Sequence, residues 1–383
     1  MQDTSAPSHE LPTSFFFVTC QRGAESAVKW EMSQLRPEWH FAFSRPGFLT
    51  FKLPPGAELA ENTSLPLVFA RAFGVCWGKI KAPTLAEGKV ALAKELKGEA
   101  FERLHVWNRD LLPAGDFRYE PRRSEEAMEV ERTLLLQEDG EEPTLTIKQP
   151  DSTATLGDRV LDVILVEPDE WWYGCHRMTG AHLPWPGGLS GMPLPAHAVA
   201  RTYLKMAQAL EWSKLPIKEG QWCAELGSSP GGASQALLDR GLSVIGIDPA
   251  EMAPEVLNHP QFVWLQKRST QVRKRDLRKI RWLMADMNVA PSYTLDAVEG
   301  ILESSQVRLR GILITIKLPD WKLIEEVPGY LERVRSWGFP KVSAKQLQFN
   351  RQEFTVTAFR NPGPPAQSRY QRKRRSKRGR RTA

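Results

Sequence analysis

The chain has 383 residues, of which 41% are hydrophobic and 25% charged. Those proportions belong to an ordinary globular protein, and the length exceeds one average domain. No apolar run nears the roughly 20 residues that span a bilayer, and Met1–Pro12 lacks the basic-then-apolar order of a signal peptide, so a cytoplasmic protein without membrane contact is expected. The formal charge of +7 belongs to one segment: nine of the 52 Lys and Arg lie between Arg369 and Arg381 with no acid among them, leaving 43 bases against 45 acids elsewhere.

In chain order, Ser14–Cys20 reads as a buried strand, Gly23–Leu35 as a helix, and Phe41–Phe43 and Gly47–Leu53 as strands. They make a small α/β unit over residues 1–55. A second unit, 56–182, starts with a strand over Val68–Ile80 and a helix over Leu85–Leu96. It continues through a polar stretch, Arg118–Glu142, to strands at Leu145–Lys148 and Arg159–Val166. The pair Trp171-Trp172 suits either stacking on unpaired bases or packing between the front half and the C-terminal half, with packing favoured. Residues 183–194, rich in Pro and Gly, read as a linker. Residues 361–383 hold a basic run with almost nothing to bury, expected to be disordered when free and to attract phosphate backbones. Cys20, Cys76, Cys175 and Cys223 form no CxxC pair and no zinc pattern with the seven histidines, so buried thiols and no metal are expected.

Between 195 and 360 strands and helices alternate, which calls for a mostly parallel sheet with helices on both faces, a Rossmann-like α/β fold. A helix is expected from about Ala198, with Val199, Tyr203, Met206 and Leu210 on one face and Arg201, Lys205 and Gln208 on the opposite one. Strands follow at Trp222–Leu226, Ser243–Ile247, Phe262–Gln266, Trp282–Ala285 and Ile312–Ile316. Helices follow near Leu295–Leu309 and Leu323–Trp337, and the last two strands are Val342–Phe349 and Phe354–Phe359. Three charged residues, Asp248, Asp286 and Lys317, come directly at the carboxyl ends of strands, where open α/β sheets bind ligands.

The first strand runs into Glu225-Leu-Gly-Ser-Ser-Pro-Gly-Gly232. A dinucleotide-binding GxGxxG needs glycine at 229, which is Ser229 here, so a nicotinamide cofactor is disfavoured. The loop, with Gly227, Ser229, Pro230, Gly231 and Gly232, suits the methionine part of S-adenosylmethionine, and it equally suits a plain tight turn. Asp248 is placed either to accept hydrogen bonds from both ribose hydroxyls of an adenosyl ligand or to cap the next helix. Lys205 taken alone reads as a solvated lysine, and Glu353 as a strand-start acid.

Arg201-Thr-Tyr-Leu-Lys205, Gly227–Gly232, Trp282–Met287, Ile316-Lys-Leu-Pro319 and Arg351–Val356, in that order and spacing, resemble the FtsJ-type ribosomal RNA ribose 2′-O-methyltransferases. The closest likeness is to the RlmM branch, which modifies a cytidine ribose of bacterial 23S rRNA. Phe17–Glu25 is similar to the opening of that branch's front half. The resemblance implies a seven-stranded class I methyltransferase domain over 195–360, preceded by ferredoxin-like and THUMP-like RNA-binding units. It implies S-adenosylmethionine as cofactor, rRNA as partner, and Lys205, Asp286, Lys317 and Glu353 as a catalytic tetrad. It also implies cofactor contacts at Gly227, Ser229, Pro230, Gly231, Gly232, Asp248 and Asp286.

The chemistry of a ribose hydroxyl agrees, since so poor a nucleophile must be held in line with a sulfonium methyl and relieved of its proton. Lys317 is expected as base or charge stabiliser, oriented by the other three. The chain departs from the family at Glu225, where Asp is usual, and at Ala233, where an aromatic is frequent. In Leu265–Thr270, an aspartate that contacts adenine is expected and the next acid is Asp276. The other reading is a non-catalytic RNA-binding or ribosome-assembly protein on the same fold. The sequence carries no signal of oligomeric state.

Overall fold

The computed structural model describes residues 11–116, 118–136 and 145–360. The basic run at 361–383 lies outside the described residues.

The front half is built on one seven-stranded sheet. In spatial order its strands are His40–Arg45, Phe48–Lys52, Phe15–Cys20, Ala70–Lys81, Glu170–Arg177, Arg159–Glu167 and Arg103–Asn108. Every neighbouring pair is antiparallel except the last, which is parallel. Phe15–Cys20 pairs directly with Ala70–Lys81, so the expected border at residue 55 falls inside a continuous sheet. The run Phe-Phe-Phe-Val-Thr-Cys needs cover on both faces, and Phe16 and Phe17 are both fully buried.

Within the stretch that reads as polar, Glu125–Leu135 is a helix. Ser124 caps it by accepting from Ala127 N at 3.1 Å, and Ala127, Val130 and Leu134 form its narrow buried stripe. Glutamates, an arginine and a threonine fill most of the positions between them, which hides such a stripe in the sequence. Trp171 and Trp172 pack, but inside the front half and not between the halves. Trp171 lies against Gly88, where a Cβ would stand 2.5 Å from the indole, while Trp172 stacks on Phe43 with ring centroids 5.0 Å apart. Successive residues of a strand face opposite sides, so the pair serves two layers. The Pro/Gly stretch is also packed, with Leu183, Trp185 and Leu189 buried.

The C-terminal half contains β1 (Trp222–Leu226), β2 (Ser243–Ile247), β3 (Phe262–Leu265), β4 (Trp282–Ala285), β5 (Gly311–Lys317), β6 (Lys341–Lys345) and β7 (Glu353–Phe359). Their order is β3-β2-β1-β4-β5-β7-β6, all parallel except that β7 runs antiparallel to both neighbours. Helices α1 (Thr202–Ser213), α2 (Gly232–Leu238), α3 (Pro291–Leu302) and α4 (Val327–Ser336) connect them.

Several boundaries differ from expectation: α3 spans Pro291–Leu302 where Leu295–Leu309 is expected, and the helix expected over Leu323–Trp337 divides into a 3-10 helix, Trp321–Glu326, and α4. α1 begins at Thr202, because Ala198 N turns back to Pro195 O at 3.0 Å. β6 stops at Lys345, because the next residue leaves the sheet and Gln346 N donates to Val68 O of the front half at 2.7 Å. One apolar core runs from Phe16 to Ile314 across both halves, with Phe69 set edge-on to Trp321 and Phe354 at the seam. All four cysteines are buried and free. Among the described residues no helix is long and apolar enough to cross a membrane.

Candidate active site

The carboxyl ends of β4 and β5 deliver Asp286 and Lys317 to one edge of the sheet. β7 runs the other way, so its first residue, Glu353, lands at that same edge in direct register with Lys317. α1 passes overhead and contributes Lys205. The four side chains close into a ring. Lys205 Nζ lies 2.9 Å from Asp286 Oδ2 and 2.6 Å from Glu353 Oε1, and Lys317 Nζ lies 3.0 Å from Asp286 Oδ1. The fourth side is the ion pair of Lys317 with Glu353 Oε2. Each carboxylate oxygen takes one ammonium, and two positive charges meet two negative ones.

Burial alone would pull Lys205 down, but the carboxylates of Asp286 and Glu353 outweigh it and hold the ammonium above its ordinary range. For Asp286 burial pushes the carboxyl up, and Lys205 and Lys317 overcome it, keeping the group below its usual range. The solvated reading of Lys205 is therefore overturned. The face of α1 that carries Lys205 and Gln208 is turned inward, with Gln208 completely buried, because the sheet edge on that side is charged.

Beside the ring, the loop after β1 borders a cavity of about 420 Å³ lined by Gly227, Asp248, Lys267, Ser269, Asn288 and Tyr293, among others. Gly227 has φ +80°, and a Cβ there would stand 2.6 Å from Asp286 O, so the loop and the charged edge touch only because 227 is glycine. Gly231, at φ +122°, is likewise closed to side chains by Val256. Asp248 is not a helix cap, since the next helix is entered through Ala253. Its Oδ1 accepts from Ala250 N at 2.9 Å and its Oδ2 from Ser229 N at 3.1 Å. Each oxygen keeps a lone pair toward the cavity, enough for a ribose diol. A pocket of this size, bounded by glycine backbone at one end and a free carboxylate edge at the other, fits an adenosyl cofactor.

Gly232 brings α2 against α1, where a Cβ would meet Thr202 Oγ1 at 2.5 Å. Ser229 Oγ donates to Glu251 O at 2.6 Å, and Pro230 O accepts from Ala253 N at 2.9 Å. Those contacts hold the loop's shape. Asp276 pairs with Arg273 and is not part of the cavity wall, and after β3, where an adenine contact is expected, the wall consists of Lys267–Thr270, with exposed Tyr293 nearby in the lining. Glu225 is buried beneath the loop. Burial pushes its carboxyl up to about 8 against the hydrogen bond from Ser234, and Asp286 and Asp248 push the same way.

A second opening, of about 210 Å³, lies over the ring and is lined by Tyr119, Pro121, Arg201, Lys317, Phe349 and Arg351, among others. Tyr119 and Pro121 come from the front half, and nothing in their sequence context marks them. Elsewhere, His105, Asp162 and His176, from three different strands, gather in the front sheet with potential ligand atoms within 4.8 Å of one another. Asp162 Oδ2 takes the 2.6 Å hydrogen bond of His176 Nδ1, and His105 Nε2 meets Ser152 O at 2.8 Å. One hydrogen bond joins two of the three, while the buried Asp162 Oδ1 and His176 Nε2 have no hydrogen-bond partner among the described residues; the cluster is invisible in the sequence because its members are 57 and 14 residues apart.

Residues 198–317, which hold the glycine loop beside β1 together with Lys205, Asp286 and Lys317, match the FtsJ-like methyltransferase family, so the chain carries an FtsJ-like domain. That family implies use of S-adenosylmethionine. The chain is distantly similar to proteins named ribosomal RNA large subunit methyltransferase M. It is 31% identical over 215 residues to the one from Halorhodospira halophila, covering 54% of this chain and 60% of that protein. With the Escherichia coli O1:K1 protein it is 26% identical over 209 residues, covering 51% and 56%. The match thus spans little more than half of those relatives. Among solved structures, the fibrillarin/Nop5p complex shares 13% identity over 42% of this chain and 83% of that one, with a TM-score of 0.35, too low to carry an argument.

Proposed function

We propose that this chain is an S-adenosylmethionine-dependent ribose 2′-O-methyltransferase acting on 23S rRNA, at a cytidine ribose. One observation carries the reading. A charge-balanced ring of Lys205, Asp286, Lys317 and Glu353 stands between a cavity that fits an adenosyl cofactor and a second opening rimmed by exposed arginines. The bound cofactor supplies a methyl group activated on a sulfonium.

Lys317 holds the ribose 2′-oxygen and acts as its base or charge stabiliser. As a base, Lys317 would first give up one of its ammonium protons to solvent and then accept the hydroxyl proton on Nζ; as the ammonium, it would stabilise the charge growing on the 2′-oxygen as that oxygen takes the methyl group. Asp286 and Glu353 fix the direction of that Nζ, and Lys205, paired with both carboxylates, holds them in place. Gly227, Ser229, Pro230, Gly231 and Gly232 shape the methionine end of the cavity, and Asp248 accepts the ribose hydroxyls. Arg201 and Arg351 at the rim, a ferredoxin-like and THUMP-like front half over 1–55 and 56–182, and the basic run 361–383 hold the RNA backbone.

The test is transfer of labelled methyl from S-adenosylmethionine to rRNA from a strain deleted for this gene, with Lys317→Ala in parallel and the product mapped. A single 2′-O-methylated nucleotide, lost in the variant, is the expected result. No label on rRNA or ribosomal particles, with no cofactor binding, would leave an RNA-binding protein on a methyltransferase fold.

A further inference from the structure

Glu353 is approached from two sides. Lys205 and Lys317 hold it on the ring side. On the other side its Oε1 faces Asn350 Nδ2 at 3.3 Å and Arg351 N at 3.4 Å. Asn350 is completely buried and is itself fixed, its Oδ1 accepting from Leu347 N at 2.8 Å and from Thr355 Oγ1 at 3.0 Å. Its backbone carbonyl accepts from Gln21 Nε2 at 2.9 Å, across 329 positions of sequence.

Gln21 belongs to the front half, directly after the strand Phe15–Cys20. Its Nε2 also donates to the Tyr119 hydroxyl at 2.8 Å, and its Oε1 accepts from Gln346 Nε2 at 3.1 Å. The Tyr119 hydroxyl in turn donates to Asp110 Oδ2 at 3.1 Å and accepts from Arg71 at 2.5 Å, while Arg71 grips Asp110 at 2.7 Å. Donors and acceptors alternate without conflict from Arg71 to Glu353. The line ends on one member of the ring and on no other.

Such a line is a costly way to glue two halves together. Burying this many polar groups gains little over an apolar seam, and this molecule already has an apolar seam at Phe69, Trp321 and Phe354. What a line of directed hydrogen bonds adds is orientation. We propose that Gln21 and Asn350 are positioning residues: the front half, through them, sets the angle of the Glu353 carboxylate and so completes the ring. The front half is then part of the active site and not only a holder of RNA. This rests on the methyl-transfer reading above.

The experiment uses the full chain with two variants. Gln21→Met cuts the line at the junction. Asn350→Leu, of similar volume, removes the donor that faces Glu353 without placing a charge beside it. Cys175→Ala, also buried in the front half but off the line, controls for general loosening. Turnover is measured together with cofactor KM, RNA affinity and the Cε resonance of Lys205 in lysine-labelled protein.

Both variants are expected to lower kcat about tenfold, the size of one lost hydrogen bond to a charged group. RNA affinity and cofactor KM stay within twofold, the Lys205 resonance moves, and Cys175→Ala changes none of these. An unmoved resonance with kcat within twofold in the folded variants would overturn the proposal, as would an equal loss in Cys175→Ala. If the unaltered protein transfers no methyl, the functional reading falls, and the Lys205 resonance alone decides whether the line positions Glu353.

Discussion

Two lysines of this protein, Lys345 buried and Lys205 half-buried, meet opposite fates. In the ring, Lys205 touches two carboxylates at 2.6 and 2.9 Å and is held above its ordinary range. At the seam between the halves, Lys345 Nζ reaches the carbonyl oxygens of Leu67 and Ala181, at 3.2 and 3.4 Å, and stands over the Phe73 ring, with no carboxylate in contact among the described residues, and burial drags it down to about 8. The acid that pulls against this, Glu31, spends its oxygens on Val68 N and Phe69 N and is itself pushed by burial up to about 7. Depth alone therefore does not make a charged site. Direct contact between opposite charges, oxygen by oxygen, overcomes the cost of burial, and where it is missing the protein moves toward neutrality.

Substitutions break that comparison in order of size. Lys317→Met removes the group placed at the reacting oxygen and is expected to lower methyl transfer about a thousandfold, with cofactor binding retained in calorimetry. Lys205→Met leaves two buried carboxylates sharing one ammonium and should cost about 3 kcal/mol at neutral pH, read by denaturant unfolding. The loss should shrink in acid as the carboxylates protonate.

Lys345→Met is expected to stay within about 1 kcal/mol of the parent at pH 7, because it deletes a charge that no carboxylate touches. The clearer signature is in pH. Lys345 titrates at about 8 when folded and near 10.5 when unfolded, so between those values the unfolded chain binds more protons and the parent gains stability as pH rises. The variant should lose that gain. Glu225→Gln should act in the opposite sense. With a folded value of about 8 against 4.5 unfolded, the folded state binds more protons in that window. The contribution of Glu225 is full below 4.5 and lost as pH climbs through 8. Thermal unfolding of the Gln variant should therefore be flatter across that window.

Three members of the ring are legible in the sequence because they sit at strand boundaries, whereas Lys205 lies inside α1. Asp286 and Lys317 end apolar strands, and Glu353 begins one. Closure of the ring is not legible. It depends on β7 running backward so that Glu353 falls in register with Lys317, and on α1 turning its charged face inward. Strand Arg103–Asn108 is hard to foresee because Arg103, His105 and Asn108 break its apolar run, although Arg103 and His105 end up buried. Gln21, Tyr119 and Asn350 are polar residues in unremarkable contexts, and only the fold brings them together. Trp171 and Trp172 mislead for the contrary reason. Two adjacent aromatics suggest one surface, whereas a strand sends them to opposite faces.

The claim that contact and not depth decides these charges is tested most directly by pH titration of the lysine Cε resonances in the full chain. Lys205 is expected to stay charged beyond the range of a free lysine, and Lys345 to titrate near 8. Titration of Lys205 at or below the value of Lys345 would contradict the account.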